Sequence, residues 1–259
     1  MSLLVVQGFA GGYGEVDIVS GIDMRVAARE IVTIAGTNGA GKSTLVKAVM
    51  GLLPRMAGVL AFDGRDLLAL PVEERVRIGI SYVPQVRNVF GALTVLENLR
   101  VVEHVRGREQ RIRDMFDLFP ALAGRRGTRA ENLSGGERQQ LAFARALMSS
   151  PRLMVLDEPS AALSPALTEQ VFAEVRRLPQ IGVGVLMVEQ RARQALAFSD
   201  RGYILDSGRI VLTDTGQALL ANEHMSDLYI GRGGQARGAD VRLNGGGSDA
   251  DPVSSPSFS

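Results

Sequence analysis

With 259 residues, 46% of them hydrophobic and 22% charged, the chain has apolar material for one medium domain or two small ones. That excludes a chain disordered throughout, and the absence of cysteine excludes a disulfide framework, thiol catalysis and a cysteine metal site. A net charge of +1 supplies no global field for nucleic acid or for cationic partners.

Residues 1–14 show no basic segment followed by a long apolar one, so no secretory signal is expected. No apolar run approaches the roughly 20 residues of a membrane-spanning helix. The chain is expected to be soluble and to reach a membrane only through a partner.

Short apolar strands then alternate with amphipathic helices. Strands are predicted over 3–7, 21–26 and 31–34, followed by a helix over 42–52. A strand over 59–62, a helix over 71–78 and a strand over 80–83 come next. About residues 86–150 read as a mostly helical insertion, with helices over 95–105, 109–119 and 136–148. A strand over 153–156, a helix over 165–178, a strand over 183–188 and a helix over 191–198 follow. Strands over 203–206 and 209–212 close the pattern. This alternation predicts an α/β sheet. The uniformly apolar runs at 31–34, 153–156 and 183–188 suit parallel strands covered on both faces.

Several helix ends are signalled. Thr94 with Glu97 makes a capping box. Ser164 before Pro165 makes a cap with proline in the first turn, and Leu167, Val171, Val175 and Leu178 are expected on one apolar face. Residues 232–259 are rich in Gly, Ser, Asp and Pro and are expected to form a mobile tail.

Two lysines stand among 29 long cations, Lys42 and Lys47. Lys42 belongs to Gly36-Thr37-Asn38-Gly39-Ala40-Gly41-Lys42-Ser43, which fits G-x-x-x-x-G-K-[ST] between a predicted strand and a predicted helix. Glycines let such a loop wrap phosphates with inward N–H groups, and the helix N-terminus adds positive potential. Lys42 then suits the β- and γ-phosphates, and Ser43 suits Mg²⁺. Downstream, Leu153-Met154-Val155-Leu156 delivers Asp157 and Glu158 to a strand's C-terminal edge, where ligands bind in open α/β sheets. Asp157 suits holding Mg²⁺ and Glu158 suits activating a water; a solvated acidic turn is the bland alternative.

Leu133-Ser134-Gly135-Gly136-Glu137-Arg138-Gln139 opens a further helix, a second anion-binding terminus. Two such ends about a hundred residues apart can share one nucleotide only if a second subunit supplies the complement. At this point the sequence resembles the ATP-binding cassette (ABC) ATPases, over about residues 3–230. The resemblance implies a P-loop cassette with a RecA-like parallel-sheet core, an antiparallel β subdomain and a helical signature subdomain within residues 1–231.

It also implies roles. Tyr13 would stack on the base, residues 36–44 including Thr44 would cradle the phosphates, and Ser134, Gly135 and Gly136 would face a partner's nucleotide. Gln85 would touch Mg²⁺ and face transmembrane subunits. Residues 160–164 stand where the family's loop after the acidic pair lies, without its usual second acid. Gln190 occupies a place where most members carry histidine. A glutamine can donate to a γ-phosphate oxygen but carries no charge. Such a chain implies ATP and Mg²⁺, a second cassette (a paralogue or itself), two permease subunits and, indirectly, a periplasmic solute-binding protein. It would sit peripherally on the cytoplasmic face of the plasma membrane, without nucleic acid.

The stretches RALMSSPRLMVLDEPSAALSP and SGRIVLTDTGQALLANEHMSDLYIG, with Gln190, look like the second ATPase of branched-chain amino acid importers. Arg87, Val89 and Phe90 are also similar to importers of urea or short amides. A soluble non-transport ATPase, a different phosphate-loop enzyme such as a small-molecule kinase, and an exporter are the other readings. His104 and His224 are expected to be surface residues, and the arginines of 106–113 a solvated helix start.

Overall fold

The structure, a computed structural model, describes residues 2–86 and 88–222. The expected tail, His224, Arg87 and the end of the closing segment lie outside the described residues.

β1 (Ser2–Tyr13) and β2 (Val16–Ala27) form an antiparallel hairpin across Gly14 and Glu15. β4 (Arg55–Phe62) pairs with the other edge of β1, and the two-residue β5 (Arg65–Asp66) completes a four-stranded sheet. Both hairpin strands are longer than predicted, and β1 runs on through Gly8, Gly11 and Gly12 without a break. The register instead shifts between Val6 and Phe9 and again before Gly11. Such bulges absorb extra residues and bend the strand while pairing continues. The hairpin thus reaches far enough to carry Tyr13 at its tip.

β3 (Ile31–Gly36), β6 (Ile80–Val83), β7 (Leu153–Asp157), β8 (Gly184–Val188), β9 (Arg201–Asp206) and β10 (Arg209–Asp214) form the second sheet. Its order is β10-β9-β3-β8-β7-β6, parallel except for β10 at one edge. Side chains alternate across it. Leu153, Val155, Leu186 and Val188 join one core, and Met154, Leu156, Val185 and Met187 join another. Both faces are covered, which is why these strands carry no polar stripe.

α1 (Lys42–Val49) packs within the first core, where Leu45, Val46, Ala48 and Val49 meet Phe9, Ile22 and Phe62 of the antiparallel sheet. It ends three residues before the predicted limit. Gly51 (φ +73°) takes the left-handed conformation; its N–H donates to Ala48 O (3.0 Å), and Leu52 N–H donates to Lys47 O (2.8 Å). That is a glycine-terminated helix end.

Between β6 and β7 lie α3 (Val95–Arg100), α4 (Arg108–Leu118), α5 (Pro120–Ala123) and α6 (Gly135–Met148). With α7 (Pro165–Arg177) they cover the opposite face of the parallel sheet. The Thr94 capping box is present, and Ser164 accepts from Leu167 N–H. The helix predicted over 95–105 stops at Arg100, because 101–107 turn back with His104 and Gly107 at positive φ. Val171, Val175 and Leu178 of the expected face are buried, with Thr168 and Phe172 beside them. Leu167 is instead half-buried beside Gly135 and Gly136. α8 (Ala192–Leu196) and α9 (Gly216–Ala221) pack with Ala35 and Ile204 in a third, small core.

α2 (Val72–Arg77) carries an unforeseen feature. Arg75 is fully buried and donates to Ala48 O (2.7 Å), Val49 O (2.8 Å), Leu70 O (3.0 Å) and Leu67 O (2.5 Å). Two of those carbonyls end α1, so the guanidinium sits at the negative terminus of that helix. Among the described residues no helix is long and apolar enough to cross a membrane.

Candidate nucleotide site

β3 ends at Gly36 and α1 begins at Lys42; the loop between them is the floor of a cleft of about 420 Å³. A Cβ at Gly36 would lie 2.0 Å from Leu205 O, so only glycine leaves β3 at that point. Gly41 caps α1 at φ +103°, in the left-handed region. Asn38, Gly39, Gly41, Lys42, Ser43 and Thr44 line the cleft with Tyr13, Ile18, Gln85, Glu158 and Gln190. Thr37 is exposed beside them and Ala40 is buried beneath, its N–H donating to Thr37 O (3.2 Å).

The Lys42 ammonium donates to Gly36 O (3.0 Å) and Thr37 O (2.9 Å). The loop's own carbonyls hold it over the loop. Burial lowers the pKa of Lys42, opposed by the charges of Glu158 and Asp157. Ser43 Oγ donates to Asp157 Oδ1 (3.1 Å). A hydroxyl and a carboxylate side by side are the hard oxygen donors that Mg²⁺ prefers, so this pair fits the ion.

Glu158 is 7% exposed and has φ +47°. A glutamate held in that region costs about 1–3 kcal/mol. Its N–H donates to Val188 O (2.9 Å), tying it to the end of β8. Both predicted glutamines converge on it: Gln85 Nε2 donates to Glu158 Oε2 at 2.8 Å, and Gln190 Nε2 to the same atom at 2.9 Å. Tyr13 stands at the cleft mouth, 45% exposed.

Ser134, Gly135 and Gly136 do not line this cleft. Ser134 is exposed at the start of α6 and forms a capping box with Glu137. The box engages the N–H groups of Ser134 (2.9 Å) and Glu137 (3.2 Å). Those of Gly135 and Gly136 lie in the first turn, where no helical carbonyl reaches. The Ser134 backbone N–H holds the Glu137 carboxyl below its usual range.

Four residues of the site escaped the sequence reading. Tyr82 OH donates to Asp157 Oδ2 (3.2 Å), and burial pushes its pKa up. Glu189 is buried; it accepts from Ser160 N–H and Ser160 Oγ, each at 2.9 Å. Burial raises its pKa against those hydrogen bonds. Arg191 donates to Leu163 O (2.9 Å) and Thr168 Oγ1 (2.5 Å). Glu189 and Arg191 thus flank Gln190 and both grip the 160–168 segment. A carboxylate ending an all-apolar strand, as Glu189 does after β8, is the same signal that exposed Asp157. Lys47 Nζ donates to Tyr13 OH (3.3 Å).

The family model described as ABC transporter matches residues 19–161, more than half of the chain. The chain belongs to the ABC transporter family. The cassette is 42% identical over 222 residues to the high-affinity branched-chain amino acid transport ATP-binding protein BraG of Pseudomonas aeruginosa, covering 85% of this chain and 95% of that one. It is 38% identical over 224 residues to the probable branched-chain amino acid transport ATP-binding protein LivF of Archaeoglobus fulgidus, covering 85% and 95%. The lipopolysaccharide export system ATP-binding protein LptB of Escherichia coli is 34% identical over 237 residues, covering 89% and 98%. Among solved structures, the ADP conformation of an ATP-binding cassette of an ABC transporter aligns with a TM-score of 0.77 at 25% identity, covering 90% of this chain and all of that one. The expected α/β cassette fold is therefore borne out.

Proposed function

We propose that the cassette is the ATP-binding and hydrolysing subunit of an importer for branched-chain amino acids. The observation that carries this reading is the similarity to BraG over nearly the whole of that protein, stronger in identity than the similarity to the exporter subunit LptB. The cleft geometry supports the ATPase part.

In this reading the loop N–H groups of residues 36–44 and the Lys42 ammonium bind the triphosphate, and the base stacks on Tyr13. Lys42 must exchange two carbonyl partners for phosphate oxygens, a gain in charge complementarity. Ser43 and Asp157 would hold Mg²⁺, with Gln85 beside them; bound there, the ion would neutralise phosphate charge. Glu158 accepts a proton from the water that attacks the γ-phosphate. To do so it must be freed from the two amides now donating to it. Gln190 is then available to donate to the γ-phosphate. Ser134, Gly135 and Gly136 present their polar corner to the nucleotide of a second cassette. Closure is favoured only while the γ-phosphate bridges both chains, and its loss opens the pair.

A groove of about 460 Å³ bordered by Val76, Pro84, Phe90, Val101 and Arg145 is the proposed seat for a permease segment. Arg145 stacks on Phe90 (4.4 Å) and donates to Asn88 O (2.6 Å), bracing the loop that follows Gln85. Placement on the cytoplasmic face of the plasma membrane follows from that docking.

The test is uptake of labelled leucine, isoleucine and valine, with labelled urea in parallel, in cells lacking the gene. Branched-chain uptake should be lost, urea uptake kept, and wild-type cassette but not Glu158→Gln should restore transport. Unchanged branched-chain uptake would overturn the importer reading; restoration by Glu158→Gln would remove Glu158 from its role.

A further inference from the structure

Lys47 is one of only two lysines in the chain, and the phosphate loop accounts for the other. It lies in the last turn of α1, five residues and so about 7.5 Å along the helix axis from Lys42. Its ammonium donates to Tyr13 OH at 3.3 Å and lies 5.8 Å from the centre of the Tyr13 ring. Tyr13 borders the cleft, whereas Lys47 does not. The cation therefore meets the hydroxyl end of the side chain, beyond the edge of the ring, and leaves the faces of the ring open. Tyr13 is otherwise poorly restrained, at the tip of a hairpin and nearly half exposed.

We infer that Lys47 is a positioning residue for nucleobase binding: it tethers Tyr13 so that the ring is already set to stack when a nucleotide arrives. The inference rests on the stacking role proposed for Tyr13. The physical basis is preorganisation, since fixing a free aromatic side chain on binding reduces affinity, and a charge-assisted hydrogen bond to the hydroxyl offsets part of that loss beforehand. One helix then serves both ends of the ligand. Its N-terminus meets the phosphates, and its C-terminal turn holds the residue that meets the base.

The decisive comparison is between ATP and inorganic tripolyphosphate, which shares the phosphates but has no base. Binding of each, with Mg²⁺, is measured by calorimetry on the full chain carrying Lys47→Met, Tyr13→Phe or Tyr13→Ala. Lys47→Met keeps the aliphatic stem and removes the charge; it should weaken ATP about three- to tenfold and leave tripolyphosphate unchanged. Tyr13→Phe keeps the ring and removes the acceptor; it should weaken ATP in the same direction, and adding Lys47→Met to it should cost less than in the wild type. Equal weakening of both ligands by Lys47→Met would show an effect through the phosphates or through α1 itself and overturn the inference, as would unchanged ATP affinity. Tyr13→Ala separates the premise from the inference. If it leaves the ATP to tripolyphosphate ratio untouched, the stacking role fails; if it shifts the ratio while Lys47→Met does not, only the tether fails.

Discussion

At Glu158 two neutral amides share one carboxylate oxygen, and the residue itself is held at positive φ. The proposed base is thus positioned and masked at once. Because Gln190 reaches Glu158 through an amide N–H, a histidine N–H could make a similar contact. Gln190→His is expected to keep steady-state phosphate release equal or raise it; a complete loss would show that the amide itself is required. Most of the cleft was legible in the sequence, since the phosphate loop and Asp157-Glu158 are fixed by motif spacing and the two glutamines follow from the family resemblance. Tyr82, Glu189 and Arg191 were not. Tyr82 reaches Asp157 across the β6–β7 pairing, and a strand neighbour distant in sequence leaves no local trace. Glu189 stood in view beside Gln190, but its partner Ser160 is 29 residues away.

At the level of elements, local chemistry was read well where it is local. Capping boxes recur at α3 and α6, and in each a backbone N–H holds the glutamate, Glu97 or Glu137, below its usual carboxylate pKa. A carboxylate depressed in the folded state stabilises above its unfolded pKa, here 4.5, and that contribution is lost as pH falls through the lowered value. The urea midpoint of the wild type should therefore drop more between pH 7 and pH 3 than that of Glu137→Gln; equal drops would show that the box adds no acid sensitivity. Thr94→Ala should cost about 1 kcal/mol of stability at neutral pH by the same assay. What the sequence hid at this level was the length of β1, because a bulge and a strand break share the same glycines. The end of α3 was hidden too: Val102 and Val105 continue the apolar pattern, but they reach the core from a turn.

Across the whole molecule, the two halves of the proposed catalytic apparatus do not meet within one chain. The cleft takes residues from the β1–β2 hairpin, the phosphate loop and the ends of β7 and β8, while Ser134 stands exposed on the helical side. In light scattering, Glu158→Gln with ATP and Mg²⁺ should shift from monomer to dimer mass. Ser134→Arg added to it should abolish the shift without weakening ATP binding to the monomer. A dimer that survives Ser134→Arg would separate this corner from pairing.

The exposed position of Ser134 has a consequence for inheritance. In the proposed pairing, a lesion there would spare the ATP held by its own polypeptide and disable the one held by its neighbour. Where the cassette pairs with itself, a cell making faulty and sound copies together would suffer more than the faulty fraction alone implies, because each bad copy would spoil a good companion.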